Sequence, residues 1–297
     1  MKIIVLGKGL VGAALINRLS RDSNYQVIGI ARADCDLRDH KAVENLFSTE
    51  KPEVVIFAAG VVGGIEKNLS NSLDLILQNS RMIINVIEAA AINVPRFINL
   101  APACVYPADI DRRMRPEDLF TGQMEKSSLG YSTAKLAGIV MSSTVKEQLG
   151  LNWVSVIATN LYGDEVLTES HNAHVIPALI KRFQDAKNNR IPTVELLGDG
   201  TPLREFLHVD DLANAIALIV KLESITEGII NIPGTEAISI ISLAELIKTI
   251  VGYEGSYTFR KDGKNGANKK LLDGSKIKEL GWSQSISLSS GLSRILV

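Results

Sequence analysis

The sequence predicts an α/β fold: a doubly wound parallel sheet followed by a smaller C-terminal α/β part. Three observations predict it. An apolar strand runs straight into Gly7-Lys8-Gly9-Leu10-Val11-Gly12 and then an apolar helix. Strand-like runs alternate with helical stretches as far as residue 163, the rhythm of parallel βαβ units. Beyond Gly163 that rhythm breaks.

Composition narrows the class. The chain has 297 residues and 46% hydrophobic content. That is enough for one large domain or two fused ones. The formal net charge of −1 leaves no polybasic arm for nucleic acid, so no nucleic-acid partner is expected. Cys35 and Cys104 are the only cysteines, which argues against a disulfide scaffold and makes a reducing cytoplasm the default. The opening residues read as a strand rather than a signal peptide. The longest apolar run, Val54 to Ile65, contains Gly60, Gly63 and Gly64 and is too short to span a bilayer, so no membrane partner is expected.

The elements follow in order. Lys2 to Leu6 reads as a buried strand and Ala13 to Leu19 as the body of the first helix. Between them, G-x-G-x-x-G stands in the strand–turn–helix context that a dinucleotide-binding Rossmann motif requires. Its glycines let the backbone approach a pyrophosphate seated on the helix N-terminus. Gly7, Lys8, Gly9, Leu10, Val11 and Gly12 are therefore expected to bind a cofactor. The second strand, about Gln26 to Ala31, ends at Arg32, where an NAD site usually places an acid. The nearest acid is Asp34, and arginine suits a 2′-phosphate, so NADP(H) is the expected cofactor, with Lys8 as a second cation. Asp36 and Leu37 are expected to border the adenine. The third strand, Val54 to Ala59, ends in Ala58, Ala59 and Gly60, whose small size leaves the cofactor room.

A long helix is expected over residues 70–92, a fourth strand over Arg96 to Leu100 and a later one over Asn152 to Ala158. The N-terminal unit is expected to span residues 1–163. Residues 164–297 are expected mainly to bind substrate, with a strand and helix near 204–232 returning to the first unit. There His171 to Phe183 reads as a loop entering a helix, and Gly198 to Pro202 as a turn cluster. Asp210-Asp211 is expected to N-cap a helix running to about Leu222. Lys261 to Lys270 reads as a loop. Short helices are expected near 242–251, 275–280 and 287–296.

Tyr131 and Lys135 lie four apart, on one face of a helix. A cation beside a phenol favours the phenolate, so the pair can pass a proton to a developing alkoxide. Taken alone, this spacing is more often an ordinary helix turn. Downstream of the glycine motif and of Cys104-Val105-Tyr106-Pro107, the catalytic reading prevails. Cys104 alone also fits a small buried residue, and His174 alone fits a helix start. His171 and His174, three apart, lack a third ligand nearby, so no metal site is expected.

Together these segments resemble the extended short-chain dehydrogenase/reductase family and, within it, the GDP-L-fucose synthases. The resemblance is carried by residues 61–65, 104–107, Tyr131 with Lys135, 160–163, 174–179, 198–211 and 269–273. It implies 3,5-epimerisation and 4-reduction of a GDP-4-keto-6-deoxy sugar. Tyr131 would protonate the C4 oxygen, and Lys135 would lower its pKa and hold the nicotinamide ribose. Cys104 and His174 would be the epimerisation acid/base pair, with His174 also against the cofactor. Arg182, Arg204 and Lys270 would bind the nucleotide diphosphate, and Asn160, Val175 and Leu179 would line the same site. The resemblance also implies a homodimer built on helices flanking the Rossmann sheet.

The chain departs from the family pattern at three places. Where the family has a catalytic serine stands Pro102, followed by Ala103, and neither carries a side-chain donor. Ser127 and Ser128 are candidate substitutes. The glycine turn is one residue short, and Leu197 replaces a tryptophan. An enzyme for another nucleotide-linked keto sugar, with reduction impaired, stays open at this point, as does a non-catalytic NADP-binding regulator.

Overall fold

The structure is a computed structural model that describes residues 1–163, 174–260 and 267–296, apart from the side chains of residues 65–67. The first part contains β1 (Lys2–Leu6), α1 (Leu10–Leu19), β2 (Gln26–Ile30), α2 (His40–Glu50), β3 (Val54–Phe57), α3 (Ile65–Ser70) and α4 (Ser72–Asn93). It continues with β4 (Arg96–Pro102), α5 (Leu129–Leu149), β5 (Asn152–Ala158) and β6 (Asn160–Tyr162). The second contains α6 (Val175–Asn188), β7 (Thr193–Leu197), β8 (Leu203–His208), α7 (Val209–Lys221), β9 (Ile229–Ile232) and β10 (Ala237–Ser239). It closes with α8 (Ile240–Val251), β11 (Ser256–Arg260), β12 (Lys269–Lys270), α9 (Ser275–Glu279) and α10 (Leu288–Leu296).

Six strands form one parallel sheet in the order β2-β1-β3-β4-β5-β9. Strand alternation sends successive side chains to opposite faces. Ile3, Val5, Val54 and Ile56 pack in the same core as α7 residues such as Leu212 and Ile216. Ile4, Leu6, Val55 and Phe57 pack with Val43, Val86 and Trp153 on the other face. The sheet is thus covered on both sides, as continuous apolar strands require. Its order reverses around β1, which has β2 on one side and β3 on the other. A crevice opens outside the carboxyl ends at such a switch point.

By length and composition α4 could cross a membrane. Its burial argues for a core helix instead: Leu75, Met82, Ile83, Val86, Ile87 and Ala90 form one buried stripe at helical spacing.

After β6 the chain builds a second core from α6, α8, α10 and β7, with Phe183 packed on Tyr253 and Tyr257. It returns to the main sheet through α7, which packs on α1, and β9. Glu205 ties the parts together. Its side chain is fully buried and accepts from Arg113 Nη1 at 2.5 Å and from the Leu272 amide at 3.0 Å. Its carbonyl accepts from Thr159 Oγ1 at 3.1 Å and Asn160 Nδ2 at 2.9 Å.

Two expectations need correction. The α7 N-cap is His208, whose Nδ1 accepts from the Asp210 amide at 3.2 Å. Asp211 is buried and instead accepts from the amides of Ser285 and Ile286, at 3.1 and 2.9 Å. The chain has to return from its last helices to the α7 face, and a buried carboxylate gives two otherwise orphaned amides a partner. The first helix starts at Leu10, three residues earlier than its apolar run suggested, because the glycine turn itself supplies the cap. His171 and most of the 261–270 loop lie outside the described residues.

Candidate active site

The crevice is shaped by what glycine permits. Gly7 has φ +100°, and a Cβ there would lie 3.0 Å from the Ala59 backbone. A Cβ on Gly12 would stand 1.8 Å from the Gly7 carbonyl oxygen. These two glycines let β1, α1 and the end of β3 close on one another. Gly9 is different: a Cβ there meets nothing within 4 Å. That open space faces the start of α1, whose first amides have no intrahelical partner. Those features fit a pyrophosphate. A groove of about 400 Å³ continues from it, lined by residues that include Gly7, Lys8, Gly9, Arg32, Asp36 and Leu37, and on its other wall by Ala58, Ala59 and Gly60.

Leu10, Val11 and Gly12 form the first turn of α1, with Gly12 buried. At the far end of the groove Lys8 Nζ lies 3.1 Å from Asp34 Oδ2, which also accepts from the Ala31 amide at 2.8 Å. Arg32 is largely exposed and reaches Asp36 at 3.7 Å. The structure adds Arg38, which the sequence reading passed over. It grips Asp36 through Nε at 2.9 Å and Nη2 at 2.5 Å, and Nη1 donates to Gln78 at 3.1 Å. The Arg38 fork holds the Asp36 carboxyl at about 2, despite partial burial that opposes it. Arg38 sits one residue past the adenine-bordering pair, so the signal for it was adjacent to residues already singled out.

Tyr131 and Lys135 lie on the first turns of α5, and both reach the groove at Gly60. A Cβ built there would lie 3.6 Å from Tyr131 Cε2 and 3.5 Å from Lys135 Cε. Lys135 is buried and donates to the carbonyls of Ala59 at 2.9 Å and Leu100 at 3.2 Å. Its ammonium also stands 4.9 Å over the Phe57 ring. Burial pushes its pKa down to about 8.

The structure does not reproduce the expected lowering of the Tyr131 pKa by Lys135. Burial raises the Tyr131 phenol, and a negative charge on Cys104 would raise it further. The reason is positional: the Lys135 ammonium is committed to two strand-end carbonyls. Tyr131 is thereby kept protonated, the form a general acid requires.

Cys104 is half-buried in a short 3₁₀ turn, 103–105, that follows β4. It lies within electrostatic reach of both Tyr131 and Lys135. Pro102 closes β4 opposite Ala158, with φ −87° and ψ 157°. The candidate substitute donors are committed elsewhere. Ser127 Oγ donates to Glu125 Oε1 at 2.5 Å, and Ser128 Oγ donates to the Glu125 carbonyl at 3.4 Å.

The other expected site residues come from the second part. His174 is exposed and precedes α6 as its N-cap, with Val175 beginning that helix. Leu179 is buried in the core around Phe183, against which Val175 also packs. Arg182 is exposed and donates to the Glu195 carbonyl at 2.6 Å. Arg204 and Lys270 are cross-strand partners on β8 and β12, so their side chains leave the sheet together. Lys270 pairs with Glu125, and Arg204 lies within electrostatic reach of the same carboxylate. Among the described residues no group of three or more metal-ligating side chains converges.

A nucleotide groove at a Rossmann switch point, with a tyrosine–lysine pair at its inner end, defines a short-chain dehydrogenase/reductase site. Residues 3–232 match the NAD dependent epimerase/dehydratase family, and the chain belongs to that family. It is 38% identical to GDP-L-fucose synthase 1 of Arabidopsis thaliana, over 99% of this chain and 91% of that one. Among solved structures, a GDP-6-OMe-4-keto-L-xylo-heptose reductase from C. jejuni superposes with a TM-score of 0.90 at 29% identity, covering 99% and 96% of the two chains. MlghC, a GDP-mannoheptose C4 reductase from Campylobacter jejuni with NADP bound, gives 0.87 at 31% identity, again over 99% and 96%.

Proposed function

We propose that this chain is an NADP(H)-dependent epimerase/reductase acting on a GDP-linked 4-keto-6-deoxy sugar. The observation that carries the reading is the meeting of Tyr131 and Lys135 at Gly60, on the inner end of the nucleotide groove. NADP(H), when bound, supplies the hydride. Gly7, Gly9 and the α1 N-terminus hold the pyrophosphate, and Ala58, Ala59 and Gly60 leave the backbone low enough for the reacting end.

The protein's own steps follow from its side chains. A 4-keto sugar has acidic C–H bonds at C3 and C5, because the carbonyl stabilises the carbanion. Cys104 and His174 work from opposite faces of the ring: one removes the proton and the other returns a proton to the opposite face, which inverts the centre. Tyr131 then gives its phenolic proton to the C4 oxygen. Lys135, fixed on the Ala59 and Leu100 carbonyls, keeps a cation at the inner end of the groove. Arg182, Arg204 and Lys270 bind the diphosphate, which fixes the sugar against Tyr131.

Solvent deuterium uptake tests the epimerase half. Cys104→Ser and His174→Ala are each expected to abolish deuterium entry at C3 and C5 while NADPH binding persists. Normal uptake in both variants would make the two residues structural.

Cofactor choice follows from charge. Lys8 pairs with Asp34, and Arg32 and Arg38 both reach Asp36 at the far end of the groove. Arg32, largely exposed and with the longest of these contacts, is the cation freest to turn to a 2′-phosphate. Arg32→Ala is expected to weaken NADPH about tenfold and leave NADH unchanged, the scale of one charged hydrogen bond. Equal losses for both, measured by titration, would reject the 2′-phosphate role.

The family resemblance also points to a homodimer. Leu73, Leu77 and Ile84 form an exposed stripe along α4, and Leu129 and Val140 are exposed on the neighbouring α5. Contiguous apolar faces of that kind mark interfaces. Light scattering at micromolar concentration is expected to give twice the chain mass, falling to one chain mass in Leu77→Glu with Ile84→Glu. A monomeric wild type would remove this assembly. The same reading places the protein in the cytoplasm, supported by two cysteines that both remain free thiols.

A further inference from the structure

Glu125 is a partly buried carboxylate that the chemistry above does not use. It lies just before the turn, 126–128, that begins α5. Its side chain is 15% exposed, and that of its partner Lys270 is 14% exposed. Oε2 takes the Lys270 ammonium, and Oε1 takes the Ser127 hydroxyl. Arg204 stands close enough for its charge to stabilise the carboxylate. Burial by itself would push the Glu125 carboxyl up, but Lys270, Ser127 and Arg204 hold it below the ordinary glutamate value. One internal anion therefore pairs with one of the three cations assigned to the substrate diphosphate and lies within charge range of a second. A diphosphate seated on Arg204 and Lys270 would bring its charge against Glu125, and like charges in a partly buried site repel strongly.

We infer that Glu125 is an internal stand-in for the diphosphate: it pairs with Lys270, lies within charge range of Arg204, and yields both cations to the nucleotide. The inference rests on the nucleotide-sugar reading above and adds a residue to it. The ammonium is paired and the guanidinium has an anion within charge range, so neither is left as an uncompensated charge in a half-buried site. Affinity is set by the difference between the diphosphate contacts and the Glu125 contacts. The connection to catalysis is direct in the chain. Glu125 anchors Ser127, and Ser128 beside it accepts from Ser132 at 3.1 Å, one residue past Tyr131. The turn that presents Tyr131 is thus held by the group that the diphosphate displaces.

The experiment is calorimetric titration of the full chain with GDP, inorganic pyrophosphate and GMP. Glu125→Gln keeps the shape and an acceptor for Ser127 but removes the charge. It is expected to bind GDP and pyrophosphate about tenfold more tightly than wild type, the scale of one released charge pair, and to gain less for GMP. NADPH affinity, which depends on the other end of the molecule, is expected to stay the same. Ser127→Ala, which loosens the hold on Glu125 without touching either cation, is expected to shift GDP the same way by a smaller factor. Weaker GDP binding in Glu125→Gln would overturn the inference, because Glu125 would then be positioning the cations rather than competing for them. Unchanged GDP binding in both variants would overturn it as well. Wild type and Glu125→Gln both failing to bind GDP and pyrophosphate would remove the nucleotide-sugar reading, and the stand-in role with it.

Discussion

Tyr131→Phe is expected to lower the rate of substrate-dependent NADPH oxidation by about a hundredfold to ten-thousandfold, the range of one positioned general acid. The ring stays, so packing against Gly60 and NADPH affinity are retained. What is lost is the phenolic proton donor that the structure places at Gly60, beside Lys135. The pH profile adds a second test. Burial sets Lys135 at about 8, so its charge is present below that pH and lost above it. Burial holds Tyr131 protonated through the same window. The value of kcat/KM for reduction is therefore expected to fall as pH rises through about 8. The same shift has a stability consequence of opposite sign. A lysine lowered from 10.5 is a cost to folding that is full below about pH 8 and is relieved as pH rises towards 10.5. A flat profile between pH 7 and 9 would show that the Lys135 charge does not matter to the step.

Pro102→Ser is expected to act in the opposite direction, speeding hydride transfer by up to about a hundredfold, the scale of one oxyanion donor. Tyr131 can protonate the C4 oxygen, but a donor that polarises the carbonyl beforehand is absent at Pro102 and Ala103. The structure removes the two substitutes, since Ser127 and Ser128 both serve Glu125. It also shows that the exchange is sterically mild. Pro102 is partly exposed at the end of β4, in extended backbone that serine adopts freely. Single-turnover NADPH oxidation compares wild type, Pro102→Ser and Ala103→Ser. A wild-type rate that neither variant improves would mean that another group already polarises the carbonyl.

The main sheet was legible because its signals are local. Continuous apolar strands, a glycine turn and a helix after it need no distant partner to be recognised. The tyrosine–lysine pair was legible for the same reason, through its spacing on one helix. What the sequence hid depends on contacts between distant segments. Asp211 looks like a helix cap until residues 285–286 arrive to use it. Arg38 gains its role from Asp36 beside it and Gln78, forty positions on. Leu179 sits in a motif matched to substrate binding, yet its helical phase turns it into the second core. The raised Tyr131 phenol is the sharpest case. An i, i+4 lysine should lower it, but Lys135 spends its ammonium on Ala59 and Leu100, and burial then dominates. Glu125 carries no sequence signal at all, because its cations are 79 and 145 residues away along the chain.

The central claim is tested most directly by mixing wild type with NADPH and GDP-4-keto-6-deoxy-mannose in deuterated solvent, following absorbance and deuterium together. The account predicts deuterium entry at C3 and C5 that runs ahead of NADPH oxidation, with oxidation slow and abolished in Tyr131→Phe. Neither deuterium entry nor NADPH oxidation, in a protein that still binds NADPH, would contradict it.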